Sequence, residues 1–153
     1  MEDKKRELFN LAVKLETNIC RLYIFYRDHF TEEGSFWAKM AEEESHHASI
    51  VELAGEYYDK FPQELIYSNA ENLKKVNRDI EEKIKKYAEK PPSRREAYEY
   101  AYNLENSAYE FHFQNVVSKK SESREIKRLK ELNKDDRDHA ERIKKLLERP
   151  GTV

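Results

Sequence analysis

Apolar residues recur every three or four positions along most of the chain, which is the spacing of one buried face of an α-helix. In the first such segment the apolar positions include Leu8, Leu15, Ile19 and Leu22, with charged residues between them. The same spacing predicts helices at about 4–30, 36–60, 69–90 and 94–117, and a last helix from Ser121 or Ser123 to Pro150.

Glycine and proline separate these segments. Gly34, Pro62 and the pair Pro91–Pro92 each interrupt the helical pattern. Ser93, followed three residues later by Glu96, is a capping-box signature for the start of a helix. The segment 69–90 has sparser apolar positions than the other four, so we expect it to cover the outside or one end of a bundle. The chain therefore predicts two helical hairpins joined by a long crossover, a known topology of four-helix bundles.

Composition agrees with an all-α fold. The 153 residues are 39% charged and 38% hydrophobic, with only three glycines and four prolines. This length suggests one domain, residues 1–153, that is large enough to bury its own core. A net charge of −2 gives no indication of nucleic-acid binding.

Cysteine content and hydropathy limit the other classes. Cys20 is the only cysteine, so no internal disulfide and no Cys-x-x-Cys metal ribbon can form. No segment approaches the roughly 18 continuous apolar residues of a membrane span, and the charged start does not look like a signal peptide. We expect a cytoplasmic protein without a membrane partner.

Two copies of one motif lie within the apolar stripes. Each copy has a lone carboxylate on one helix, and a carboxylate and a histidine three residues apart on the next. The lone and the paired carboxylate are separated by 28 residues in the first copy and by 31 in the second. The residues are Glu16, Glu44 and His47 in the first copy, and Glu105, Asp136 and His139 in the second. In a four-helix bundle this is the ligand set of a carboxylate-bridged di-iron or di-manganese centre.

The placement of these carboxylates requires an explanation, because acidic side chains are almost never buried without a partner. Two divalent cations provide it. A carboxylate and a histidine at i and i+3 lie on one helix face, and oxygen and imidazole ligands suit iron or manganese. Each motif taken alone is weak, since Glu-x-x-His is common on charged helices and a histidine on an apolar face is more often a core residue.

Other residues are weaker candidates. Tyr23 lies two turns after Glu16 on the same helix face and could donate a hydrogen bond to a ligand carboxylate. His112 occupies the equivalent place after Glu105. Cys20 could also face the site, although a small buried residue is the simpler interpretation.

At these residues the chain resembles the ferritin-like superfamily and, within it, the rubrerythrin-like di-iron domains. The segment from Phe36 to Ala48 is similar to the second-helix signature of that family, and Leu15–Glu16 and Leu104–Glu105 are similar to its first-helix and third-helix signatures. The resemblance implies a ferritin-like four-helix bundle with an extra helix in the long crossover. It also implies a role for each ligand: Glu16 and Glu105 terminal, Glu44 and Asp136 bridging, His47 and His139 the imidazole ligands.

Three differences from the family pattern affect the function. Asp136 is one methylene shorter than the usual glutamate, which makes bridging less certain, and Asp135 points about 100° away around the helix and should not replace it. Rubrerythrins carry a further carboxylate three residues after the third-helix glutamate, where this chain has Ala108. A rubredoxin-like Cys₄ domain is missing, so electrons must come from a separate donor.

The resemblance implies a di-iron redox protein that reacts with hydrogen peroxide or dioxygen, as an oxidoreductase of the peroxidase or ferroxidase type. We expect two iron ions per chain, with manganese or a mixed pair possible, and a homodimer. Two alternatives stay open. One is oxidation of ferrous iron for storage or detoxification, and the other is a non-catalytic helical bundle with a vestigial metal site.

Overall fold

The computed structural model describes residues 2–56, 70–107 and 124–150 of the chain. It leaves out the side chains of residues 2–5, 124–126, 128–130, 132, 133 and 136. All regular structure in the described residues is helical, and the predicted all-α class is confirmed.

The first hairpin consists of α1, Glu2–His29, and α2, Gly34–Glu56, which are joined by a 3₁₀ turn at Thr31–Glu33. α1 packs mainly against α2. The buried residues of α2 recur at intervals of three and four, so one face is turned to the core and the other to solvent. That face includes Trp37, Met40, Glu44 and His47.

The crossover carries α3, Ala70–Glu89, which packs against α1. Its buried face includes Leu73, Val76 and Ile80, and also the polar residue Asn77. The side-chain amide of Asn18 on α1 donates to Asn77 Oδ1 at 3.0 Å, and Asn77 Nδ2 donates to the carbonyl oxygen of Leu11 at 3.1 Å. Because buried amides need partners, these bonds favour one alignment of α3 along α1.

α4 spans Arg94–Asn106 and begins as the sequence predicts. The Ser93 hydroxyl oxygen accepts a hydrogen bond from the Glu96 backbone N–H at 3.1 Å and so caps the helix. The predicted end at residue 117 is wrong, because the helix ends at Asn106 and Ser107 is extended with ψ 154°. The Ser107 hydroxyl donates to the Leu104 carbonyl at 2.7 Å, and serine side chains compete with the helix in this way for backbone groups.

The last described helix is α5, Arg124–Leu147, which packs against α4 and α2. Ala140, Ile143 and Leu146 lie on its buried face. The predicted starting residues, Ser121 and Ser123, lie outside the described part of the chain.

An aromatic cluster fills the core where α1, α2 and α4 meet. The Trp37 ring is fully buried, and its centroid lies 5.0 Å from the ring centroids of Tyr23, Tyr26 and Tyr98. Rings at this separation and tilt interact favourably beyond the area they bury. The cluster therefore fixes the ends of three helices on one side of the acidic residues.

Among the helices that the structure describes, none is long and apolar enough to cross a membrane.

Candidate metal centre

Four helices each direct at least one predicted ligand into the core. Glu16 comes from α1, Glu44 and His47 from α2, Glu105 from α4 and His139 from α5. All five side chains are buried, and those of Glu44, Glu105 and His139 are fully inaccessible to solvent. Three buried carboxylates beside two imidazoles need a compensating positive charge.

Glu44 lies between the two histidines. Its Oε1 is 2.8 Å from His139 Nδ1, and its Oε2 is 3.5 Å from His47 Nδ1. The two imidazole rings are stacked with centroids 5.1 Å apart. Ligand atoms of the three residues all lie within 4.8 Å of one another, which is close enough to share metal ions. One carboxylate oxygen thus faces each histidine, as a bridging carboxylate requires.

The remaining two glutamates flank this centre on opposite sides. Glu16 Oε2 lies 3.9 Å from His47 Nδ1, and Glu105 Oε1 lies 3.5 Å from His139 Nδ1. The centre therefore has two halves, Glu16 with His47 and Glu105 with His139, which share Glu44.

Tyr23 supports one of these halves. Its hydroxyl donates a hydrogen bond of 2.5 Å to Glu105 Oε1, across 82 positions of sequence. The sequence predicts a bond from Tyr23 to a ligand carboxylate because of its spacing from Glu16, yet the acceptor is the glutamate of the other motif. The aromatic packing of Tyr23 on Trp37 fixes the direction of the hydroxyl.

The two terminal glutamates differ in their proton affinity. Burial, and next the negative charge of Glu44, raise the pKa of Glu16 well above its ordinary value. Burial also pushes the pKa of Glu105 upward, but hydrogen bonding and the charge of His139, with the Tyr23 bond, outweigh it and lower that pKa below its usual range. Without metal, Glu16 therefore holds a proton more readily than Glu105 does, because the pKa of the first is raised and that of the second is lowered.

The donor set fits a pair of metal ions. Glu16 Oε2 and Glu105 Oε2 are buried and have no hydrogen-bond partner among the described residues. Buried oxygens in this state are rare in folded proteins, and a bound cation would satisfy each of them. Three carboxylates and two imidazoles match the preferences of iron and manganese.

The other candidate residues have different outcomes. The side chain of Asp136 lies outside the described residues, as do Ala108 and His112. Cys20 is partly buried, and burial raises the pKa of its thiol. The predicted bridging by Asp136 stays a prediction.

Two acidic residues near the histidines were missed in the sequence. Asp135 Oδ2 lies 3.5 Å from His47 Nε2, and Glu43 Oε2 lies 3.6 Å from His139 Nε2. Asp135 is 55% exposed and contacts the outer nitrogen of His47, and the expectation that it does not replace Asp136 as a ligand stays a prediction. The duplicated pattern contained a signal, since each of the two immediately precedes the paired carboxylate of its motif.

A comparison with protein families gives an independent result. The family model for rubrerythrin matches residues 7–147, which include the five buried ligands described above and the position of Asp136. Searches among curated proteins and among solved structures found no match. The match extends over nearly the whole chain and agrees with the buried glutamate and histidine cluster. The chain belongs to the rubrerythrin family.

Proposed function

We propose that this protein is a di-iron carboxylate redox protein that reduces hydrogen peroxide or dioxygen. The observation that carries the proposal is the position of Glu44 between His47 and His139, with Glu16 and Glu105 outside them, all buried. Glu16 and His47 would hold one ion, Glu105 and His139 the other, and Glu44 would bridge them. Asp136 would contribute by its place in the second motif.

A bound pair of ferrous ions would supply two electrons, which is the number needed to reduce hydrogen peroxide to two water molecules. The protein contributes a dry and preorganised site, in which charges interact more strongly than in water. Carboxylates suit this task because they change between terminal, chelating and bridging modes as the charge on the metal rises. The Tyr23 hydroxyl donates a hydrogen bond to Glu105 and fixes that carboxylate in place.

The electrons that restore the site would come from a separate donor, because a rubredoxin-like centre needs four cysteines and these 153 residues contain one. Manganese, or a mixed pair of ions, would fit the same ligands. A homodimer is the assembly we expect.

The proposal is tested by anaerobic loading with Fe²⁺, followed by addition of hydrogen peroxide or of dioxygen in separate experiments. We expect two ferrous ions to be oxidised for each peroxide consumed, and Glu44→Ala to lose this reaction. Glu52→Ala, an exposed change two turns further along α2, is the control and should react as the wild type does.

The outcome separates the alternatives. Rapid oxidation by dioxygen with accumulation of ferric mineral would favour iron storage or detoxification. Absence of any bound metal would contradict the proposal and leave a non-catalytic bundle.

A further inference from the structure

Each histidine of the centre is also contacted, on its outer side, by a carboxylate that belongs to the other motif. Glu43 on α2 contacts His139 on α5, and Asp135 on α5 contacts His47 on α2. In both cases the contact is to Nε2, while Nδ1 faces the interior glutamates. When a metal ion occupies Nδ1, the ring proton lies on Nε2, and a carboxylate on that side can then accept it and hold the ring in the ligating orientation.

Among the described residues, Glu43 is the outer carboxylate that has an arginine partner. Arg142 Nη2 donates to Glu43 Oε2 at 2.7 Å, and Arg142 Nε lies 3.1 Å from Asp138 Oδ2. The arginine side chain is one quarter exposed, so part of its length is packed. Glu43 therefore lies between a fixed cation and the His139 ring.

The other half lacks this support. The position that matches Arg142, three residues after the histidine, is Ile50 in the first motif, and its side chain cannot donate a hydrogen bond. The side chain of Asp135 is 55% exposed, and His47 is its one ionic partner in the described part of the chain. A carboxylate held by one long contact orients its histidine less firmly than one fixed on two sides.

The interior ligands show the same inequality. On the His139 side, Glu105 is held by the 2.5 Å hydrogen bond from Tyr23. On the His47 side, the side-chain hydrogen bond of Glu16 is with Glu44, another acid of the centre, and no described tyrosine donates to it; the Oε2 atoms of Glu16 and Glu105 are alike in having no partner among the described residues. Glu105 is therefore held by a donor from outside the centre before metal arrives, and Glu16 has no such donor among the described residues.

We propose that the two metal positions are unequal, and that the half formed by His139, Glu105 and Glu44 binds its ion first and more tightly. Glu43 and Arg142 act as positioning residues for that half, and Asp135 acts for the second. This inference rests on the proposed di-metal function. Its physical basis is that ligands fixed in advance lose less freedom when the ion binds.

The order of binding can be measured directly with Co²⁺ alone, because a ferrous ion would oxidise during the experiment. Crystals of the wild-type protein grown with one equivalent of Co²⁺ should show anomalous density mainly beside His139. Calorimetric titration should resolve two steps. These measurements need no variant and no activity.

Substitutions then assign each step to a half. Arg142→Ile copies the residue of the first motif and should weaken the first step by about 10- to 100-fold, the typical effect of losing an outer partner of a ligand. Asp135→Asn should weaken only the second step. Lys145→Ile, a change at an exposed residue of α5, is the control for lost charge and should alter neither step.

The possible failures are distinguishable. Binding of two Co²⁺ ions with equal density at one equivalent, or weakening of the same step by Arg142→Ile and Asp135→Asn, would overturn the inference and leave the di-metal function standing. No bound Co²⁺ in the folded wild type would overturn both. Circular dichroism of each metal-free variant verifies that a changed step does not come from unfolding.

Discussion

Glu44 is the residue at which the two halves of the centre meet. Its two carboxylate oxygens face different histidines, whereas Glu16 and Glu105 each lie near one. The three glutamates are therefore not equivalent, although each lies in the apolar stripe of its helix. Removing them should have different consequences for metal content.

We expect Glu44→Ala to lose both metal ions, because the bridging ligand of each would be gone. Glu16→Ala should keep about one ion per chain, since dinuclear sites in bundles are built from two partly separate ligand sets. Metal analysis after loading and desalting measures this, with Glu52→Ala as the surface control. Equal metal content in Glu44→Ala and Glu16→Ala would show that Glu44 does not bridge.

The protonation of the terminal glutamates predicts how the metal-free protein responds to pH. The pKa of Glu16 is raised above 4.5, mainly by burial and next by Glu44. When folding raises the pKa of a carboxyl group, that group contributes its full stability at pH below its pKa in the unfolded state. The contribution is lost as pH rises through its pKa in the folded state. Glu16→Gln stays neutral, so it should gain stability relative to the wild type as pH increases above 4.5.

Glu105 supplies the opposite case, because its pKa is lowered in the fold. The stability that the Glu105 carboxylate contributes is present at pH above the ordinary glutamate pKa. It is lost as pH falls through the lowered pKa of the folded state. Glu105→Gln should therefore be less stable than the wild type near neutral pH and approach it in acid. Urea unfolding in the presence of a chelator, repeated across pH, measures both differences. Parallel pH profiles for the two variants would contradict the assigned directions.

At the scale of the helices, the Asn18–Asn77 pair is a buried polar connection between α1 and α3. Its hydrogen bonds lie among apolar core side chains, whereas the ion pairs Lys14–Glu81 and Lys74–Glu7 join the same helices at the surface. An apolar seam tolerates sliding by one turn more readily than a seam with paired amides does. The pair therefore helps to fix where the crossover helix lies on α1.

Asn77→Leu should lower the free energy of unfolding by about 1–3 kcal/mol, because the buried Asn18 amide and the Leu11 carbonyl lose a partner. Chemical unfolding measures the change. Lys74→Ala, one turn earlier on α3, removes only surface ion pairs with Glu7 and Glu71 and should leave stability unchanged. If Asn77→Leu and Lys74→Ala unfold alike, the amide pair does not hold the helix.

For the molecule as a whole, we expect the acidic centre to make stability depend on metal. Three carboxylates and two imidazoles from four helices converge in one buried volume, so the metal-free fold carries unfavourable burial of charge. Ions that bind across the four helices would remove this cost and connect the two halves of the chain. Folding and metal binding should therefore be coupled.

The melting temperature should rise with the concentration of Fe²⁺ or Mn²⁺. At a free concentration of 100 times the dissociation constant, the gain is about 2.7 kcal/mol, which corresponds to several degrees for a chain of this size. Thermal melts followed by circular dichroism under anaerobic conditions measure it. Glu44→Ala should melt at a temperature that does not depend on metal, and a wild type that behaves in the same way would exclude a buried metal site.

The sequence by itself predicted the helical class and the five glutamate and histidine residues that the structure brings together in the core. Helical spacing, the Ser93 cap and the repeated carboxylate and histidine motif are local features, so they can be recognised without knowledge of how helices dock. Local signals also have limits, as the end of α4 shows. The apolar spacing continues past Asn106, but the competition of the Ser107 hydroxyl for a backbone carbonyl ends the helix.

Only the tertiary structure decided which residues support which ligand. Tyr23 is on the helix of Glu16, yet it bonds to Glu105, and Glu43 and Asp135 each face the histidine of the other motif. Each of these contacts joins two different helices. The Tyr23–Glu105 contact spans 82 positions of sequence, and the Arg142–Glu43 contact spans 99. Their partners depend on the angle and alignment at which the helices pack, and periodicity within one helix carries no information about either.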